Sequence, residues 1–89
     1  MNDELESRMT NFSADDFDVD LLERKVIHKK SGIWFSFYEY TTEDDWKRSD
    51  SVTYHDVPSW KGDRMDLAAA AKSAAIKKGM SARRPQMAK

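Results

Sequence analysis

The run Lys25-Val26-Ile27-His28-Lys29-Lys30-Ser31-Gly32-Ile33-Trp34-Phe35-Ser36-Phe37-Tyr38-Glu39-Tyr40 decides the fold. It reads as two β-strands, about 22–29 and 33–41, joined at Ser31-Gly32, where glycine tolerates the positive φ of a tight turn. Side chains alternate between the faces of a strand. One face therefore gathers Val26, His28, Ile33, Phe35 and Phe37, and the other gathers Lys25, Ile27, Lys29, Trp34, Ser36, Tyr38 and Tyr40. A two-residue loop pairs Lys30 with Ile33, His28 with Phe35, Val26 with Phe37 and Arg24 with Glu39. The first face is the natural core. The second is an aromatic surface in need of a partner.

Outward from the hairpin, the flanks supply the rest of a small domain. Ser13–Leu22 supports two readings. Ser13 with Asp16 three residues on caps a helical turn, while Phe17, Val19 and Leu21 alternate with aspartates as in a strand. The favoured reading is a short helical turn that enters a strand near Leu22. Thr42 with Asp45 marks a second cap, and Glu43–Lys47 and Asp44–Arg48 have i,i+4 spacing, so 41–50 accommodates one or two helical turns around Trp46. A third strand spans about 51–57 and stops at Pro58, which cannot donate to a sheet ladder. From Arg64 to about Lys78 the chain is a helix. Asp63 caps it, Asp66 and Lys77-Lys78 suit its dipole, and Gly79 fits the left-handed position after it. Leu67, Ala70, Ala71 and Ala74 form a stripe of small side chains along it, and Met80 folds back after the cap.

The expected fold is α+β: a three-stranded antiparallel β-meander with the C-terminal α-helix packed on one face. Residues 1–12 read as a flexible acidic N-terminal arm, 13–80 as a single domain and 81–89 as a flexible basic tail. The core is modest, at roughly 1.5–3 kcal/mol per large buried side chain before entropy, so a homodimer is one way to gain stability.

Composition bounds the function. The 89 residues carry a net charge of −1, no cysteine and 35% charged residues. No apolar run approaches the ~20 residues of a membrane span, and the acidic start, Met1 to Glu6, is no secretory signal, so a cytoplasmic location fits. Acidic groups gather before Arg24 (Asp3, Glu4, Glu6, Asp15, Asp16, Asp18, Asp20, Glu23). Basic groups gather late, with Lys77, Lys78, Arg83 and Arg84 at the end of the helix and in the tail. His28 and His55 have no metal-ligand spacing, Glu43-Asp44-Asp45 lacks the calcium-loop pattern, and the glycines are scattered. No catalytic, metal or cofactor site is expected.

Two classes of function remain. The first is a small non-enzymatic protein-binding module, a regulator or inhibitor of the kind encoded by phages and mobile elements. It would act through the aromatic face (Lys25, Lys29, Trp34, Tyr38, Tyr40), with Trp46 or Trp60 as further anchors, and through the acidic arm. The second is a nucleic-acid-binding domain that stacks bases on the same face and adds the basic tail. The string His28 to Trp34, followed by a further strand and an alanine-rich helix ending at Gly79, resembles the three-strand-plus-helix DNA-binding domains of the plant Apetala type and of phage integrase arm-binding type. That resemblance implies a sheet in the major groove with Lys29, Trp34, Ser36 and Tyr38 as contacts. The near-neutral net charge favours the protein partner, because DNA affinity rests largely on phosphate neutralisation.

Overall fold

A computed structural model describes residues 12–50 and 52–84. Its elements are β1 (Phe17–Asp20), β2 (Lys25–His28), β3 (Trp34–Ser36), α1 (Glu43–Arg48), β4 (Thr53–His55) and α2 (Arg64–Lys77). A 3-10 turn over Ala14–Asp16 precedes β1. The strands form one antiparallel sheet in the order β1-β2-β3-β4. There are four strands where the sequence predicts three. The two readings of Ser13–Leu22 follow one another: a capping box joins Ser13 and Asp16, and the alternating run then pairs with β2 from Phe17↔His28 to Asp20↔Lys25.

The central hairpin keeps its expected faces but not its expected register. Observed pairs are Lys25↔Ser36, Val26↔Phe35 and Ile27↔Trp34, two residues away from a two-residue loop. Two is the side-chain period, so every residue stays on its side. The shift has a local cause. Ser31 Oγ accepts the Ile33 amide at 3.0 Å, and Gly32 at φ 83° donates to the His28 carbonyl, which holds a four-residue loop over 29–32. The β1–β2 turn over 21–24 has the same length, and Arg24 at φ 54° occupies the position that Gly32 fills in the other loop. Asp20 Oδ1 supports that turn by accepting the Glu23 amide at 3.0 Å.

The Arg24 side chain explains how an arginine holds a left-handed backbone. It is 1% exposed and donates to the carbonyls of Phe37 (3.1 Å), Tyr38 (3.0 Å) and Ser81 (2.7 Å) while its guanidinium lies 5.0 Å from the Trp46 ring centre. Burial pushes its pKa down, and the Glu39 carboxylate opposes that shift.

The core takes Phe17, Val26, Ile33, Phe35 and Phe37 from the sheet side, with Trp46 from α1. Leu67, Ala71, Ala74 and Ala75 come from α2. Small side chains let α2 lie close on β1 and β2. It ends in a Schellman motif: Gly79 (φ 108°) donates to the Ile76 carbonyl, Met80 donates to the Ala75 carbonyl at 2.8 Å, and the Met80 side chain is buried. Thr42 caps α1, accepting the Asp45 amide at 3.1 Å. The expected Glu43–Lys47 and Asp44–Arg48 pairs give way to Asp45–Arg48 at 2.9 Å, and Glu43 instead accepts the Ala82 amide. At the other end of α1 the Lys72 ammonium lies 4.7 Å from the Trp46 ring centre and donates to the carbonyls of Trp46 and Ser49, which compensates the helix dipole. Burial lowers the Lys72 pKa, and Asp50 opposes it.

Candidate functional site

The outer face of the sheet, opposite α2, is built by the odd phase of β2 and the even phase of β3. Lys25 reaches diagonally so that its ammonium lies 4.3 Å from the Trp34 ring centre. From the other neighbouring strand His55, directly opposite Trp34, stacks on it at 5.6 Å with ring planes 13° apart. The indole is thus flanked on both sides by its own sheet. Beyond it the hydroxyls of Tyr38 and Thr53 are bonded, with Tyr38 54% exposed. Asp18 and Asp20 of β1 border the same face, and Asp18 lies 3.9 Å from Lys29. The face is aromatic at its centre and carries both signs of charge on one side.

Not all the aromatic residues assigned to that surface reach it. Strand β3 ends at Ser36, and Tyr40 turns inward: it packs on Trp46 at 6.0 Å, bonds Ser49 through its hydroxyl and donates its amide to the Ala82 carbonyl. Trp46 is 1% exposed, in edge contact with Phe37 and flanked by Arg24 and Lys72. As the lone large apolar residue of a polar six-residue helix, it must be buried for α1 to pack at all. Trp60 is half-buried. It folds over Gly62, where any Cβ would collide with the ring, and packs against Phe12, His28 and Arg64. Neither tryptophan is placed as a surface anchor.

The basic residues are also partly spoken for. Lys77 and Lys78 are exposed at the end of α2, with Lys78 4.0 Å from Asp15. Arg84 donates its amide to Glu39 at 2.8 Å, which holds that carboxyl below the usual range, and Arg83 is exposed. Residues 81–84 are therefore tied to the domain through Arg24, Glu39 and Glu43, and the rest of the expected tail, 85–89, lies outside the described residues. Likewise Phe12 belongs to the fold, packed on Phe17 and His28, while 1–11 lie outside the described residues.

Two features go beyond what the sequence singles out, although alternation already puts His28 on the core face. One is an enclosed imidazole: His28, 3% exposed, sits among Phe12, Phe17 and Trp60 with Nδ1 2.7 Å from Ser31 Oγ. Desolvation lowers its pKa; Asp16 opposes this and Lys30 adds to it. The other is an open groove of about 540 Å3 between the β3–β4 half of the sheet and the start of α2. Phe35, Val52, Tyr54 and Ala68 line it with the more exposed Tyr38 and Met65, and Asp50 and Arg64 complete it. Arg64 donates to Asp56 at 2.8 Å and to the carbonyls of Val57, Trp60 and Gly62.

Among the described residues no cluster of three or more His, Asp or Glu side chains is placed to hold a metal ion. No helix among them is long and apolar enough to cross a membrane. The fold and this surface define a small α+β protein with an antiparallel sheet, an aromatic outer face and a C-terminal helix on the opposite side. Comparison with family models, with curated proteins and with solved structures finds no match.

Proposed function

We propose that this chain is a small non-enzymatic protein-binding module, a regulator or inhibitor, whose outer sheet face docks the partner. The observation that carries the reading is the environment of Trp34. Lys25 and His55, from the two neighbouring strands, both engage its ring, which leaves less π surface for a base to stack on. What it offers is a preorganised aromatic patch with rim charges of both signs, the composition of a protein interface centre. Asp18 and Asp20 beside that patch repel phosphates and complement a basic partner.

The non-enzymatic reading draws support from the pair of described residues that most resembles a nucleophile and its base. Ser31 Oγ and His28 Nδ1 are within hydrogen-bond distance, but that hydroxyl also accepts the Ile33 amide and the imidazole is walled in by three aromatic rings. A nucleophile and base need access to a substrate. This pair builds a loop.

The test is a titration of the protein with single- and double-stranded DNA across salt, alongside recovery of partners from lysate with the wild type and Trp34→Ala. Expected are no salt-dependent DNA binding and a protein partner that Trp34→Ala loses. Tight DNA binding that weakens steeply with salt would instead establish the nucleic-acid reading, with Lys77, Lys78, Arg83 and Arg84 as its contacts.

A further inference from the structure

The sheet has two edges, and only one is guarded. Hydrogen-bonded pairs alternate along an antiparallel ladder. The His28 amide bonds the Ile33 carbonyl and the Phe37 amide bonds the Arg24 carbonyl, so the phase between β2 and β3 includes Val26↔Phe35. Phe35 therefore spends its backbone groups on β2, and β4 is bonded through Trp34↔His55 and Ser36↔Thr53. The N–H and C=O of Tyr54 are left pointing away from the sheet at its edge.

Around those two groups the surface is largely apolar, and the one carboxylate that lines the groove, Asp50, lies close enough to the Lys72 ammonium to act on its charge. Tyr38, Tyr54 and Met65, three of the five large exposed hydrophobic side chains, all line the groove beside β4, and Met65 is 82% exposed. No residue of β4 is a carboxylate or an ammonium, and Arg64 at the groove's far end is neutralised by Asp56. Such an edge is complementary to an identical edge. A two-fold axis through Tyr54 makes it exchange both backbone bonds with its own copy, sets the two phenol rings side by side and places Thr53 opposite His55 of the second copy. The same operation at β1 brings the carboxylates of Asp18 and Asp20 together with their copies, and like charges across a strand pair are destabilising.

We infer that a second copy of this chain pairs antiparallel along β4, about Tyr54, to form a continuous eight-stranded sheet with the two grooves closed against each other. The pairing does not depend on the partner proposed above. It leaves both outer faces exposed and aligned on one side of the joined sheet. Three-residue strands bury little surface, so the dimer is weak, with a dissociation constant on the order of 10–100 µM.

The test is light scattering of the full chain from about 1 µM to about 1 mM, expected to show reversible dimerisation. Tyr54→Lys and Tyr54→Glu each place like charges across the axis and should weaken self-association at least about tenfold. Mixing the two variants in equal amounts should restore the dimer. A wild type that stays monomeric throughout, or variants that dimerise as it does, would overturn the proposal. Amide exchange on the wild type gives an answer even if the variants do not fold. Protection of the Tyr54 amide must rise with protein concentration, and an amide that exchanges freely at every concentration refutes the pairing.

Discussion

The two halves of the sheet are made from similar strands and end in different states. The β1–β2 half lies under α2, with Phe17 and Val26 at 1% exposure or less and His28 sealed between rings. The β3–β4 half carries Phe35 and Tyr54 stacked at 5.7 Å, yet Tyr54 stays 47% exposed because the helix does not extend over it. Burial in this fold is set by where one alanine-rich helix lies, not by how apolar each strand is. The lesson is that burial is concentrated at one edge of the sheet and falls away toward the other.

The largest test of that division compares matched aromatic truncations. Phe17→Ala should cost about 4 kcal/mol, since a fully buried phenylalanine leaves a cavity under α2. Tyr54→Ala should cost less than about 1 kcal/mol, as expected of a half-exposed edge residue. Urea unfolding of both checks this, and equal losses would break the contrast.

Next in size is Arg24→Met, which keeps the bulk over Trp46 and removes the three carbonyl bonds. Charge-assisted bonds of this kind contribute about 1.5–3 kcal/mol each before the gain from leaving no buried charge, so a net loss of about 3 kcal/mol is expected. Thermal unfolding reads it directly. A loss under about 1 kcal/mol would show that packing, not hydrogen bonding, holds this corner.

The pH dependence is smaller and its sign is fixed. His28 titrates lower in the fold than its ordinary value of 6.5, so below that value the unfolded chain binds more protons than the native one. Stability contributed by the neutral imidazole is complete above pH 6.5 and is lost as the pH falls from there toward the depressed native value. Unfolding of the wild type and of His28→Gln between pH 7 and about 5 separates this from carboxylate effects. The slope should diminish in the variant, and an unchanged slope would remove His28 as its source.

The least effect on stability belongs to Asp18→Asn combined with Asp20→Asn. The stability change should stay within about 0.5 kcal/mol, as the asparagine at 20 can still accept the Glu23 amide. What should change is association, because the guarded edge becomes a second sticky one. Light scattering that shows no new oligomer would mean that something other than charge protects β1.

Much of this was legible in the chain, and the gaps have physical causes. The faces of the hairpin could be read from alternation alone, and they survived an error of register because the error was even. The ends of α2 were readable because Asp63 and Gly79 act through local hydrogen bonds. Strand β1 was half-readable, since Asp16, Asp18 and Asp20 suit both a capped turn and the solvent side of a strand. Arg24, Trp46 and the groove were not readable. An arginine within Leu-Leu-Glu-Arg-Lys carries no mark of burial, and its carbonyl partners are 13, 14 and 57 positions away. Trp46 reads as an exposed anchor until Arg24 and Lys72 close over it. Trp34 and Tyr38 therefore lie on the outer side as alternation implies, while Tyr40 and Trp46 turn inward.

The bond from Arg24 to the Ser81 carbonyl spans 57 positions of sequence. During synthesis the hairpin can form early and bring the Phe37 and Tyr38 carbonyls, but the guanidinium's third acceptor arrives only when almost all of the described chain has been made. The corner is completed last, and a chain cut short before Ser81 would leave the Arg24 charge without one of its three acceptors.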